Sequence, residues 1–227
     1  MLVWGKNVFN EIDLKKVRKA YLDKDASKDL VSYLEKNHIR YDLVDKKRLS
    51  DLTEGKNPQG IVLDIYDYEY KTLDECLNDE FVVILDHLED PHNFGAIIRT
   101  CECSGIKHII IPKDRSVRVN ETVIKVSSGA ISHVDIVMVS NISSAIDKLK
   151  KSNFFVYGAD MDGKDYREVD FSGKKVLVIG SEGSGISQLV SQNCDEIVSI
   201  PMKGNINSLN ASVSAGILIY GMNRNEK

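Results

Sequence analysis

Long hydrophobic runs are missing from this chain, and so is a large excess of either charge. No stretch of its 227 residues approaches ~18 consecutive apolar positions, so no membrane-spanning helix is expected. The opening Met1-Leu2-Val3-Trp4-Gly5-Lys6 lacks the basic-then-apolar pattern of a secretory leader, and a cytoplasmic location is expected by default. Net charge is only −4, so the basic excess that marks many nucleic-acid binders is absent. Residues 1–72 carry 14 Lys+Arg against 13 Asp+Glu, and the remainder 16 against 21. Any grip on a polyanion must therefore be a local patch. Lys15, Lys16, Arg18 and Lys19 form one candidate, and Lys113, Arg115 and Arg118 another, although a solvated surface would explain either run. Cysteine is sparse too. Cys101 and Cys103 are two apart, which is not the CxxC spacing of common zinc or redox sites, and Cys76 and Cys194 stand alone. Buried, reduced thiols are the expectation.

What is present is ordinary in amount, with 42% hydrophobic and 28% charged residues, and informative in arrangement. Residues 1–70 read as a small α/β domain. Strands are expected at Val17–Leu22, Tyr41–Val44 and Ile61–Ile65, and helices at Lys28–Asn37 and Lys46–Leu52, with a turn at Asn57-Pro58-Gln59-Gly60. The polar segment Asp67–Asn78 contains the expected linker, 71–78. From residue 79 to 227 the character changes. Apolar runs suited to buried strands recur at Phe81–Leu85, His108–Ile111, Val134–Val139, Phe154–Tyr157, Val176–Ile179 and Ile197–Ile200. Helical patterns fall among them at Phe94–Ser104, Glu121–Ser127, Ile142–Lys151 and Ile186–Asn193, and an apolar helix at Leu209–Asn223 closes the chain. Alternating strands and helices with continuously apolar strands predict a largely parallel sheet covered on both faces.

Three stretches carry more polar and glycine detail than packing requires, each where an apolar strand gives way to a helix. Ligands of open α/β sheets collect at such carboxyl ends. In Leu85–Thr100, Asn93 is a candidate helix N-cap. Arg99 lies about two turns deeper between apolar residues, where it needs a carboxylate or a phosphate as partner. In Val176–Ile186 a buried strand runs into Gly180-Ser181-Glu182-Gly183-Ser184-Gly185. The spacing is neither a Walker loop nor GxGxxG, and a tight turn is the plain alternative. In Ile200–Gly216, Asn207 or Ser208 can cap the last helix, and Ser208, Asn210, Ser212 and Ser214 stud its start, where such residues do little for helix stability. Asp86, His87, Asp90 and His92 share no helix or strand face, so no metal site is expected. Ser181 lacks the GxSxG elbow of a hydrolase.

Taken in order, these segments resemble the SpoU/TrmH family of the SPOUT methyltransferases. Residues 83–107, with Asp90-Pro91, Asn93, Gly95 and Arg99, look like its first motif. Ser128-Gly129-Ala130 matches a short element between motifs. Gly180-Ser181-Glu182-Gly183 and Gly185 look like the second motif, and Ile200-Pro201-Met202 with Ser208-Leu209-Asn210 like the third. Gly5-Lys6-Asn7 and Gln59-Gly60 resemble the small N-terminal substrate-binding domain, most similar to the branch that methylates guanosine 2′-hydroxyls of 23S rRNA. Pro58 stands where the family often has His, and Ser212-Val213-Ser214 is more polar than usual.

The resemblance implies a C-terminal catalytic domain with a parallel sheet and a deep trefoil knot, a homodimer, and S-adenosylmethionine (SAM) as cofactor. It also implies transfer of a methyl group to an RNA ribose 2′-hydroxyl. Gly180, Ile200 and Leu209 would hold the cofactor through backbone contacts, with Met202 against the adenine. Arg99 would be the cation that clamps RNA and stabilises the developing alkoxide. Glu182 would orient Arg99 or serve as base, Ser208 and Asn210 would position Arg99 or the ribose, and Asn93 would hold the motif loop. A tRNA 2′-O-methyltransferase, a non-catalytic RNA-binding ribosome-assembly factor and a nucleotide-binding protein using Gly180–Gly185 are the competing readings.

Overall fold

The computed structural model describes residues 1–206 and 208–223, which divide into two compact units. The first contains β1 (Leu2–Trp4), α1 (Lys6–Glu11), β2 (Val17–Asp23), α2 (Lys28–Lys36), β3 (Tyr41–Val44), α3 (Lys46–Leu52) and β4 (Ile61–Ile65). Its sheet runs β1-β4-β2-β3, antiparallel except where β2 meets β3. Side-chain oxygens fix two of its helix starts. Ser27 Oγ accepts from Leu30 N and Asp45 Oδ1 from Arg48 N, so sequence and structure agree on both helices. Leu22, Leu34, Leu49 and Val62 form its buried interior.

The second unit begins at Tyr70. Residues 71–78, expected as a linker, are ordered within it. Lys71 pairs with Val137, a 3-10 turn spans Leu73–Cys76, and Cys76 is buried in the core. There follow β5 (Phe81–Asp86), α4 (Pro91–Cys103) and β6 (His108–Pro112). The next helix, α5 (Glu121–Val126), clusters with the first unit together with the rest of Val119–Ser132. The second unit resumes with β7 (Asp135–Val139), α6 (Ile142–Lys151), β8 (Phe155–Asp165), β9 (Lys175–Gly180), α7 (Gln188–Asn193), β10 (Glu196–Ser199) and α8 (Ala211–Met222).

All six strands are parallel, in the order β10-β8-β9-β5-β6-β7. Every residue of β5, β6 and β9 is buried, which is why those strands read as unbroken apolar runs. Val82, Ile84, Ile110, Val156 and Val178 meet Ile142, Ile146 and Leu149 of α6 in one core. Truncating one such Ile to Ala costs about 2–5 kcal/mol. The register pairs Leu85 with Ile179 and Asp86 with Gly180, so the two central strands end side by side. That alignment delivers two chemically rich loops to the same sheet edge.

Two helix starts differ from expectation. Asp90, not Asn93, caps α4, accepting from His92 N at 3.0 Å and Asn93 N at 3.3 Å, with Pro91 in the first helical turn. Asn210, not Ser208, caps α8; the other candidate, Asn207, lies outside the described residues. Of the thiols, Cys103 is exposed and Cys194 half-buried, against the expectation of uniform burial. Burial pushes Cys76 and Cys194 up to about 12 and Cys101 higher still, so none of these three is a ready nucleophile at neutral pH.

Candidate functional site

Asp86 ends β5 inside the protein, and its carboxylate joins two loops. Oδ2 accepts from Ser187 N at 2.7 Å, while Oδ1 lies 2.5 Å from His87 Nδ1. His87 takes a left-handed φ of 59°, so the chain turns sharply before reaching Asp90. Because Asp90 performs the capping, the Asn93 amide is released from that duty. It sits buried in the first turn of α4, and Nδ2 donates to Glu182 Oε1 at 2.5 Å.

The loop after β9 folds back on itself. Ser181 and Gly185 exchange two backbone hydrogen bonds, of 3.1 and 3.0 Å, and Gly183 and Gly185 have φ of 88° and 65°. A Cβ on Gly180 would lie 2.0 Å from the Gly185 carbonyl carbon. Glycine is required at 180 for this internal approach, whatever ligand the loop meets. Ser181 Oγ and Ser184 Oγ lie 2.6 Å apart, and the turn presents Glu182 outward.

The third segment arrives through Asn210. Its Oδ1 accepts from Ser212 N at 3.0 Å, Val213 N at 3.4 Å and Ser212 Oγ at 2.6 Å. With Oδ1 committed to the helix start, Nδ2 turns the other way and donates to Glu182 Oε1 at 2.9 Å. One carboxylate oxygen thus accepts from two amides that are 89 and 28 residues away in sequence. Glu182 Oε2 accepts from no described residue. A cavity of about 740 Å³ opens here, with Asp86, His87, Asp90, Arg115, Glu182 and Ser187 in its walls.

Of the expected catalytic residues, Asn93, Glu182 and Asn210 are brought together. Arg99 and Ser208 are not joined to them. Arg99 is exposed, lies outside the cavity wall and makes no hydrogen bond or ion pair with a described residue. The partner expected from its apolar neighbours is absent because α4 turns Ile97, Ile98 and Cys101 inward and His92, Arg99 and Glu102 outward. Ser208 is exposed in the loop before α8. Of the expected cofactor residues, Gly180 is buried at the strand end, Ile200 is half-buried, and Met202 and Leu209 are exposed. Ile206, not singled out from sequence, is 77% exposed on the same connection. Asp86, weighed from sequence only as a metal ligand, instead joins two loops, and a carboxylate closing an apolar strand was its visible signal. Among the described residues no group of three His, Cys, Asp or Glu is placed to hold a metal.

The chain is similar to known RNA methyltransferase families along most of its length. Residues 80–220 match the SpoU rRNA methylase family, and residues 2–71 match the substrate-binding region of RNA 2′-O ribose methyltransferases. A Staphylococcus haemolyticus protein described as a TrmH family tRNA/rRNA methyltransferase is 41% identical over 204 residues, 86% of this chain and 82% of the relative. Bacillus subtilis YacO, described in the same terms, is 38% identical over 237 aligned positions, 98% of this chain and 94% of that one. The solved SpoU methyltransferase AviRb of Streptomyces viridochromogenes, in complex with AdoMet, superposes with a TM-score of 0.85 at 25% identity, covering 99% of this chain and 89% of its own.

Proposed function

The chain belongs to the SpoU family of RNA methylases, and from that premise we propose that it transfers a methyl group from SAM to a ribose 2′-hydroxyl, with a guanosine of 23S rRNA as target. It is an RNA methyltransferase of the TrmH/SpoU type, a family that depends on SAM. The match of residues 2–71 to a 2′-O ribose substrate-binding region supports the ribose. The observation that carries the reading is Glu182, held by Asn93 and Asn210 at a cavity where three distant stretches of chain meet.

The residues present suit SAM. Met202, Ile206 and Leu209 leave apolar side chains uncovered on the connection from β10 to α8, a ledge for a nucleoside rather than a core. In this reading Gly180, Ile200 and Leu209 hold the cofactor by their backbones, and Met202 lies against the adenine. When bound, SAM supplies a methyl group on a positively charged sulfur. The chain's own work is to align the hydroxyl and receive its proton. Alignment of two reactants is worth up to about 7–11 kcal/mol of the barrier. Glu182 Oε1 is fixed by the two amides, leaving Oε2 to accept from the 2′-hydroxyl. Arg99, uncommitted and exposed, is the cation proposed to meet RNA and the developing alkoxide, and Ser208 positions the ribose.

Two assembly features go with the reading. α8 is apolar on all sides, yet Val213 and Tyr220 are exposed and a Cβ on Gly216 would meet nothing within 4 Å. A second copy of the chain is the proposed cover for that stripe, giving a homodimer. The order β10-β8-β9-β5 supports the trefoil knot implied by the family. A cytoplasmic location goes with an RNA substrate.

The test is methyl transfer from labelled SAM to total RNA from cells lacking the gene, with the modified nucleotide mapped. A 2′-O-methylguanosine in 23S rRNA is expected. A tRNA product would redirect the substrate, and no product on any RNA would favour the assembly-factor reading.

A further inference from the structure

The segment after β6 carries a charge that the fold does not use. Residues 113–118 are fastened to the loop after β5, where Val117 N donates to Leu88 O at 2.8 Å and Ser116 Oγ donates to the same oxygen at 3.4 Å. Arg118 is tied down as well, donating to Lys113 O at 2.5 Å and lying over the Tyr70 ring. Arg115 is different. It lines the cavity beside Asp86, Asp90 and Glu182, yet its guanidinium makes no hydrogen bond or ion pair with a described residue. Among the described residues no other lysine or arginine lines that cavity. Its backbone is left-handed, with φ 51°, a conformation that residues other than glycine rarely adopt.

Four carboxylates share that wall; Glu89 and the Oε2 of Glu182 meet no described residue, and the others are engaged. Asp86 is committed to Ser187 N and His87, Asp90 to the first N–H groups of α4, and Glu182 Oε1 to two amides. A ribose entering this cavity brings its phosphates towards a wall of negative charge. A cation is needed where the nucleotide backbone passes. A guanidinium fork suits a phosphate, because it binds two oxygens at once and does not lose its charge.

Resting on the proposed RNA reading, we infer that Arg115 grips the RNA phosphate adjacent to the ribose that enters the cavity, and so selects where along the strand methylation falls. This is a substrate-binding role. It affects RNA affinity and register, not the cofactor.

Arg115→Asn removes the charge while keeping a residue that tolerates the left-handed backbone, and Arg115→Lys keeps the charge without the fork. Both are compared with wild type in methyl transfer to total RNA from cells lacking the gene. The Asn variant is expected to raise the apparent KM for RNA about ten- to a hundredfold, with kcat, SAM affinity and Tm near wild type. The Lys variant should recover part of the loss. The slope of log affinity for a single-stranded oligoribonucleotide against log salt should fall by about 0.7 in the Asn variant. An unchanged KM and salt slope in an active enzyme would overturn the inference and leave the methyltransferase reading standing. A loss of SAM affinity instead would overturn it in favour of a cofactor contact. A wild-type protein inert towards RNA would overturn both.

Discussion

The two edges of the parallel sheet are built from the same kinds of side chain and treat them in opposite ways. At the amino edge charged groups are paired. His108 Nδ1 lies 2.5 Å from Asp79 Oδ2, Lys150 Nζ lies 2.7 Å from Asp195 Oδ1, and Asp195 Oδ2 accepts from Val156 N at 2.8 Å. Lys174 Nζ donates to Leu77 O at 3.0 Å. At the carboxyl edge the scaffold groups are equally satisfied, but Glu182 and Arg115 line the cavity, and neither Glu182 Oε2 nor the Arg115 guanidinium has a partner among the described residues. Apolar side chains are also left uncovered there, at Met202, Ile206 and Leu209. One edge closes the fold, and the other leaves a few groups without a described partner. That asymmetry is the general expectation for open α/β sheets, and here it can be assigned atom by atom.

The comparison breaks most sharply at Glu182. Glu182→Gln keeps the shape and removes the proposed proton acceptor, so single-turnover methyl transfer should fall at least about 100-fold. Because Glu182 is exposed, Tm should barely move. A large Tm loss with retained activity would erase the distinction between the edges. The opposite pattern is expected for Asp195→Ala, which leaves the Val156 N–H and Lys150 without their acceptor. It should cost about 1–3 kcal/mol in denaturant unfolding while leaving kcat unchanged.

A smaller effect sharpens the cofactor assignment. Met202→Ala with Leu209→Ala removes exposed apolar surface, so stability should stay within about 0.5 kcal/mol. SAM affinity, read by calorimetry, should weaken about tenfold. Unchanged affinity would move the cofactor away from this ledge. The smallest effect lies in the Thr72–Glu75 turn. The Thr72 backbone N–H, and then Lys71, hold the Glu75 carboxyl below its usual range. A depressed folded-state value stabilises above the unfolded value and is lost as pH falls through the folded one. Glu75→Gln should therefore flatten the acid limb of the stability curve slightly and leave neutral pH almost untouched.

Much of this was legible in the sequence, for identifiable reasons. Tyr41–Val44, Lys46–Leu52, Ile61–Ile65 and Ile142–Lys151 appear with the expected bounds, because period and capping residues point the same way there. β8 runs on to Asp165, where sequence reading stopped at Tyr157. The added residues mix Asp160, Asp162, Lys164 and Asp165 with glycines and are partly exposed, and beyond Gly158 they pair with β10 only after a register shift between Ile197 and Val198. β1 is three residues long and had no periodicity to read. Ordered motifs pointed to Asn93, Glu182 and Asn210, which meet. They could not show that Asp90 frees the Asn93 amide, or that Arg99 occupies the outward face of α4. Arg115 appeared only as one member of a basic run, because neither its backbone conformation nor its place on the cavity wall is visible without coordinates.

In the proposed site Glu182 and the two amides that hold it act as one unit. A double-mutant cycle with Asn93→Ala and Glu182→Gln, read as single-turnover methyl transfer at saturating SAM, tests it most directly. Coupled residues predict a double variant no slower than the slower single variant. Losses that multiply would show that Asn93 and Glu182 act independently and would contradict the shared site.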